Sequence, residues 1–129
     1  MAELFLEELG ASFVARPTTD MGYDYFVGFE NPHGGVNVSA VEVTATEQPI
    51  NGRYPLPTQV YRRLAHTNIP VLLLVVDVKQ NRLFYALPGS LSLNGDRDSS
   101  MVSVPLTEVD DSARDELRAH LSQSQAAAA

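Results

Sequence analysis

An uninterrupted apolar run, Val71–Val76, constrains the fold of this 129-residue chain more than any other feature. All six of its residues are valine or leucine, with Pro70 before the run and Asp77 after it. A strand with one face in water alternates apolar and polar residues, whereas a strand covered on both faces reads as a continuous apolar segment. We therefore expect this segment to be the central strand of a sheet with helices packed on both faces.

Length and composition favour one globular domain, which we place at residues 1–124. Hydrophobic residues make up 44% of the chain and the mean hydropathy is −0.09, as in ordinary folded proteins. Residues 125–129 are mostly alanine and are consistent with a vector-derived tail. Cysteine is absent, which excludes disulfides and thiolate metal sites. Because no apolar run is long enough to span a bilayer and the first residues are acidic, we expect a cytoplasmic protein without a membrane partner.

Periodicity and turn residues predict a mixed central sheet flanked by helices, in the order α-β-β-β-α-β-β-β-α. Helices are expected over residues 2–9, 58–67 and about 108–123, the last beginning at a capping pair of Thr107 and Asp110. Besides the central run, strands are expected over 13–15, 23–30, 36–44, 83–87 and 101–104. The segments 48–57 and 88–100 are rich in turn-forming residues and are predicted to be loops.

The valine-rich segment before the first long loop leaves two interpretations open. Its valines stand at positions 36, 38, 41 and 43. The first two have the opposite parity to the last two, so the four side chains cannot share one face of a regular strand. Either a bulge shifts the register near Ser39 and Ala40, or the strand is buried on both faces.

The net charge and the absence of common motifs reduce the range of possible functions. Nine Lys and Arg residues against sixteen Asp and Glu give a net charge of −7. Tight nonspecific binding of nucleic acid uses a basic face that neutralises phosphates, so this partner is disfavoured and a protein partner or a homodimer is left open. The chain has no G-x-S-x-G, G-x-G-x-x-G or P-loop pattern, which argues against the hydrolases and nucleotide-binding proteins that carry them.

One group of acidic residues is a candidate for a functional site. Asp20 and Asp24 form a D-x-G-x-D pattern before one predicted strand, and Glu42 lies in the middle of the next. A carboxylate inside a core strand is costly unless it is paired or binds a cation. Carboxylates on adjacent strands can converge on one divalent cation such as magnesium, so we expect Asp24 and Glu42 to lie close together. The competing interpretation assigns Asp20 to turn capping and leaves Glu42 in solvent on a one-sided sheet.

These motifs resemble the PD-(D/E)XK, or restriction-endonuclease-like, superfamily, and more narrowly the bacterial family called domain of unknown function 4365. The resemblance covers about residues 2–121 and rests on four segments: Asp20–Asp24, Val41–Thr44, Pro70–Asp77 and the aromatic strand Leu83–Tyr85. It implies a single α/β domain with a restriction-endonuclease-like mixed sheet, and a divalent-metal-dependent nuclease chemistry with magnesium or manganese as the cofactor.

The same resemblance implies which residues would act. Asp24 and Glu42 match the metal-binding catalytic carboxylates, and Glu7 or Glu3 on the first helix would supply a further metal-binding glutamate. Thr44 stands at the position of the catalytic lysine, where a threonine cannot neutralise the charge that develops on the phosphate. Loss of such a donor typically lowers the rate by about 10²–10³-fold. An arginine of the middle helix, Arg62 or Arg63, is the hypothetical replacement.

The missing lysine and the negative charge favour a degenerate nuclease fold that acts as a non-catalytic interaction or regulatory module, in a mobile-element or defence setting. The alternative is a metal-dependent, phosphodiester-hydrolysing nuclease that uses Asp24 and Glu42. A third interpretation is a small acidic immunity-type protein that merely shares the element order, and whose surface should carry a continuous carboxylate patch.

Overall fold

The computed structural model describes residues 2–18, 22–91 and 100–123. In this part of the chain the helices are Ala2–Glu8 (α1), Thr58–Ala65 (α2) and Asp111–Ser122 (α3), with a short 3-10 helix at Pro88–Ser90. The strands are Phe13–Ala15 (β1), Tyr25–Glu30 (β2), Val36–Thr46 (β3), Arg53–Pro57 (β4), Val71–Asp77 (β5), Arg82–Ala86 (β6), Met101–Pro105 (β7) and Thr107–Glu108 (β8). Asp20, most of the predicted loop 88–100 and the tail 125–129 lie outside the described residues.

Strand β5 lies inside the main sheet, as its apolar sequence predicts. The sheet has six strands in the order β1-β2-β3-β5-β6-β8, and β5 pairs parallel with β3 and antiparallel with β6. All seven residues of β5 are buried. Both the central, doubly covered strand and the mixed α/β fold are therefore confirmed.

Two hydrophobic cores flank the sheet. On the α2 face, Leu73 and Val75 of β5 pack with Tyr61 and Leu64 of α2 and with residues of β4 and β7. On the opposite α1/α3 face, a second cluster joins both terminal helices to the sheet through Phe5, Leu6, Leu72, Leu74 and Leu117. Successive β5 side chains enter different cores because they alternate across the sheet. No helix among the described residues is long and apolar enough to cross a membrane.

Strand β3 is buried on both faces in its middle, which confirms the second of its two interpretations. Its first half pairs antiparallel with β2 in an unbroken register from Val36 to Val41. Its second half pairs parallel with β5 from Ala40 to Thr46. The two ladders overlap at Ala40 and Val41, and both of these residues and the preceding Ser39 are buried. The apparent change of parity therefore reflects a change of neighbours along one regular strand.

The prediction that residues 48–57 form a loop is wrong for its last part. Residues 53–57 form β4, which pairs antiparallel with β7 in a separate two-stranded sheet. Pro55 and Pro57 are exposed on this strand, and Leu56 between them is buried. Proline is tolerated in an edge strand, where its missing N–H is not needed by a second neighbour.

The predicted beginning of the last helix is also wrong. Thr107 does not open α3, because Thr107 and Glu108 pair with β6 as the short strand β8. The N-cap is Asp110, whose carboxylate accepts a hydrogen bond from the backbone N–H of Ala113 at 2.7 Å. Either residue could cap a helix by its chemistry, and pairing with β6 decided between them.

Candidate functional site

Asp24 lies at the entrance to β2, where its side chain takes over part of the strand pairing. Its backbone N–H donates to the Val41 carbonyl at 2.9 Å, and its carboxylate Oδ2 accepts the Val43 N–H at 2.7 Å. The regular ladder begins one residue later, with Tyr25 opposite Val41. Asp24 therefore contacts β3 on both sides of Glu42, and the structure brings these two predicted site residues to neighbouring positions.

Glu42 lies in the middle of β3, beside Leu73 of β5 in the parallel register. Its side chain is only 26% exposed, and its Oε2 atom is shielded from solvent. This carboxylate is on the α2 face, because it meets Arg63 of α2 at 3.8 Å between Oε2 and Nη2. Glu42 thus lies under a helix rather than pointing into open solvent.

Arg63 makes three contacts across this region. Besides the pairing with Glu42, its Nη1 donates to the Gly22 carbonyl at 2.7 Å. Its guanidinium carbon lies 5.7 Å from the centre of the Tyr23 ring, within the range of a cation–π interaction. The side chain is 43% exposed, so the ion pair alone stabilises the fold by about 1 kcal/mol or less. The three contacts together fix the guanidinium between α2, β3 and the segment that leads into β2.

Gly22, the glycine of the D-x-G-x-D pattern, suits this position because of its backbone conformation. Its φ of +84° is unfavourable for residues with a side chain. A Cβ atom here would lie 2.9 Å from Nη1 of Arg63, the flexible end of that side chain, which can shift to make room. The glycine therefore serves the backbone before Asp24, and its carbonyl accepts the hydrogen bond from Arg63.

Of the other predicted site residues, Thr44 lies on the same strand as Glu42, whereas Glu7 and Glu3 lie on α1. Thr44 is two residues beyond Glu42 on β3, half-buried, and pairs with Val75. Glu7 is exposed on α1, a helix that packs against the opposite, α1/α3 face of the sheet. Glu3 of the same helix pairs with Arg16 at 3.1 Å.

Asp77, which ends the apolar strand, has a turn-forming role in the structure. It is buried, and its Oδ1 accepts the backbone N–H groups of Lys79 and Gln80 at 3.1 and 3.0 Å. Asn81 follows with a φ of +55°, so the chain reverses tightly into β6. The acidic residue in this part of the resemblance thus organises a hairpin, as aspartate commonly does.

The donor set is a poor match for a divalent cation while Arg63 remains in place. Magnesium prefers several oxygen ligands in a near-octahedral arrangement. Here one carboxylate faces a guanidinium and the other accepts a backbone N–H. Within residues 2–18, 22–91 and 100–123, no group of three or more His, Cys, Asp or Glu side chains could hold a metal ion. A cation at Oε2 of Glu42 would lie beside the Arg63 guanidinium.

Two surface grooves lie elsewhere. One, of about 290 Å³, runs between α1, the start of β6 and the start of α3, and is lined by Phe5, Leu83 and Arg114 among others. The second, of about 390 Å³, lies between the end of α2 and the start of β5, and its lining includes Ala65, Val71 and His120. Neither groove includes Asp24 or Glu42 in its lining.

The α2 face is not covered along its whole length. Phe13, Val36 and Val38 are exposed large apolar residues of β1 and β3. The register places them around Gly28, because Phe13 and Val38 both pair with it. A Cβ atom at Gly28 would lie only 2.2 Å from the Phe13 ring, so this ring lies directly over the glycine. Phe13, Val36 and Val38 therefore form an exposed apolar area on the α2 face of the sheet.

Sequence reasoning named Asp24, Glu42 and two arginines, and the structure shows that Arg63 is the arginine that contacts Glu42. The contacts that Gly22 and Tyr23 make with Arg63 were not predicted, although both residues lie inside the D-x-G-x-D pattern. No local signal links them to Arg63, because the hydrogen bond joins residues 41 positions apart. The backbone-capping role of Asp24 had a signal, since aspartate is common where a chain enters a strand or turn.

Comparisons with known proteins add no family assignment. No protein-family model matches the chain, and no curated protein matches its sequence. The likeness to nuclease-like proteins therefore rests on the motifs alone.

Proposed function

We propose that this chain is a non-catalytic interaction or regulatory module built on a degenerate nuclease-like fold. The observation that carries the proposal is the position of Arg63, whose guanidinium faces the Glu42 carboxylate that a catalytic metal would need. A guanidinium is permanently charged and cannot act as a metal ligand. Glu42 is instead paired with Arg63, and Asp24 accepts a hydrogen bond from the backbone of β3.

The residue at the lysine position supports the same conclusion. Thr44 carries a neutral hydroxyl group, which cannot neutralise the negative charge that develops on a phosphate during cleavage. The net charge of −7 opposes the approach of a polyanion as well. Weak or absent cleavage of DNA and RNA is therefore the expected behaviour of the natural chain.

A cleavage assay tests this proposal. Supercoiled plasmid and single-stranded RNA are incubated with the protein and magnesium or manganese, and we expect no turnover above background. Thr44→Lys should raise any trace activity, whereas the same change together with Asp24→Ala should not. Robust cleavage by the natural chain that disappears on Asp24→Ala would refute the non-catalytic role.

One observation favours the alternative, an active nuclease. Arg63 brings a positive charge to within 3.8 Å of Glu42, close to where the family lysine would act. If the natural chain does cleave, Arg63→Gln should lower the rate by about 10²–10³-fold, as expected for the loss of a charge-stabilising donor. Arg62→Gln, an exposed neighbour on the same helix, is the matched control and should leave the rate unchanged.

We propose a protein as the partner of this module. The exposed apolar residues on the α2 face suit an apolar protein surface better than a phosphate backbone. Sedimentation velocity over a concentration series tests whether the partner is a second copy of the chain. Self-association that is abolished by Val38→Lys would identify a homodimer, whereas a monomer at all concentrations would exclude one.

A further inference from the structure

We propose that Arg63 is an internal cation that occupies the place of a divalent metal at Glu42 and excludes metal from the site. This inference rests on the proposed function and names the residue that keeps the site inactive. It concerns a specific competition between a guanidinium and a metal ion for one carboxylate. Arg63 would act as an autoinhibitory contact built into the fold.

The contacts of Arg63 show that it is held in place rather than lying on the surface by chance. Its hydrogen bond to the Gly22 carbonyl joins a charged donor to a backbone acceptor, which is stronger than a neutral pair. The guanidinium also lies over the Tyr23 ring, 5.7 Å from its centre. Glu42 supplies the third contact. Three different kinds of contact therefore position the Arg63 guanidinium beside Glu42.

Electrostatics explains why this arrangement excludes a metal. A divalent ion bound to Glu42 would lie within a few ångströms of the guanidinium, and the two cations would repel each other. Even in a water-like dielectric, this repulsion between a single and a double charge weakens metal binding by at least about tenfold. The limited exposure of Glu42 reduces screening and makes the effect larger.

Neighbouring Arg62 provides a matched comparison. Both arginines lie in the last turn of α2, and both are exposed. Replacing either one removes a single positive charge from the same helix, so long-range electrostatic effects are equal. Of the two arginines, Arg63 is the one that contacts Glu42, Gly22 and Tyr23. Differences between the two glutamine variants therefore report on those contacts.

The first measurement asks whether Arg63 is the counter-ion of Glu42. Urea denaturation is followed by circular dichroism for the natural chain, Arg63→Gln, Glu42→Gln and the double variant, and the same cycle is repeated with Arg62→Gln. We expect the losses of stability of Arg63→Gln and Glu42→Gln to be non-additive, because both changes remove the same contact. The losses of Arg62→Gln and Glu42→Gln should add. Additive losses for the Arg63 and Glu42 pair would overturn the proposal.

The second measurement asks whether Arg63 excludes metal. Manganese binding is measured by the loss of the free-ion EPR signal, with no nucleic acid present. Arg63→Gln should bind manganese at least tenfold more tightly than the natural chain and Arg62→Gln, and Glu42→Gln in the same background should abolish the gain. Equal binding by all the single variants would overturn the proposal, whether or not the natural chain cleaves nucleic acid.

The folding of every variant is checked by circular dichroism on the samples used for the binding measurement. Arg63→Lys retains the positive charge and should still exclude manganese. This variant therefore separates the effect of the charge from a general loosening of the site. If Arg63→Gln does not fold, Arg63→Met, which retains the apolar stem, provides the uncharged variant. Cleavage by the natural chain would contradict the proposed function without affecting these binding results, so the two failures are distinguishable.

Discussion

Strands β3 and β5 are parallel neighbours in one sheet, yet they use their residues differently. Every residue of β5 is buried, and its side chains enter both hydrophobic cores. The paired second half of β3 contains Glu42, Thr44 and Thr46, all of which are only partly buried. The register places Glu42 beside Leu73 and Thr44 beside Val75, so these two polar residues have apolar neighbours at the same level, whereas Thr46 lies beside Asp77.

The difference shows which part of the sheet provides stability and which part is free to carry polar groups. Burial of large aliphatic side chains is the main source of folding free energy, and β5 is devoted to it. The polar half of β3 lies next to the entrance of β2, where Asp24 and Arg63 supply charged partners. Polar side chains at those positions reduce the buried apolar area and retain the groups that could do chemistry or be regulated.

The largest expected effect comes from β5. Leu73→Ala should lower the free energy of unfolding by about 2–5 kcal/mol, because it removes a fully buried side chain and leaves a cavity. Urea denaturation followed by circular dichroism measures the change. Val78→Ala, one residue beyond the strand and 51% exposed, is the control and should change stability by about 0.5 kcal/mol or less. Equal losses in both variants would contradict the central role of β5.

A smaller loss is expected at the entrance to β2. Asp24→Ala should cost about 1 kcal/mol, because the Val43 N–H loses its acceptor. Asp24→Asn keeps an acceptor oxygen at the same place and should lose less than about half of that amount. Denaturant titrations of both variants give the comparison. Identical losses would show that the charge of Asp24, rather than its hydrogen bond to β3, stabilises the structure.

The polar half of β3 should tolerate, and even gain from, an apolar residue at position 44. Thr44→Val keeps the β-branched shape and adds apolar surface next to Val75, so we expect about 0.5 kcal/mol of stabilisation. Thermal denaturation is the simplest measurement. Thr46→Val is the contrasting variant and should lose stability, because Oγ1 of Thr46 accepts the Gln48 N–H at 3.0 Å. Destabilisation by Thr44→Val would mean that the hydroxyl has a structural role, and the contrast with β5 would be weaker than we propose.

The smallest effect concerns the other neighbour of β5. Arg82 of β6 donates to both carboxylate oxygens of Glu108 at 2.5 and 2.6 Å, and this hydrogen bonding lowers the pKa of Glu108. Because the pKa is lower in the folded state, the contribution to stability is present above the ordinary carboxyl value and disappears as the pH falls through the folded value. Arg82→Gln should raise the pKa of Glu108 in an NMR titration, and its stability should approach that of the natural chain only at acidic pH.

The comparison between the two strands also shows how far sequence reasoning reaches. The apolar run of β5 identified the central strand because no other secondary structure of that length needs apolar residues at every position. The parity change in β3 was ambiguous, because a bulge and a change of neighbours produce the same pattern. Strand β4 was missed because two prolines in five residues are typical of a loop. In the structure it pairs with β7, and Leu56 is buried in the core on the α2 face.

The candidate site divides in the same way. Asp24 and Glu42 were recognisable as candidates from residue type and from their places before and within adjacent predicted strands, whereas the role of position 44 was implied by the resemblance alone. The environment of the two carboxylates was not recognisable. Whether Glu42 would meet solvent, a metal ion or an arginine depended on where α2 came to lie over the sheet, and Arg63 is 21 residues further along the chain.

By itself, the sequence determined the class of fold, because alternation, apolar runs and turn residues act through local backbone geometry and burial. Only the tertiary structure decided that Thr107 would pair with β6 instead of capping α3, and that Arg63 would contact Glu42. Both outcomes depend on contacts between segments far apart in sequence. Such contacts are selected by the packing of the whole domain, and no short window of residues contains that information.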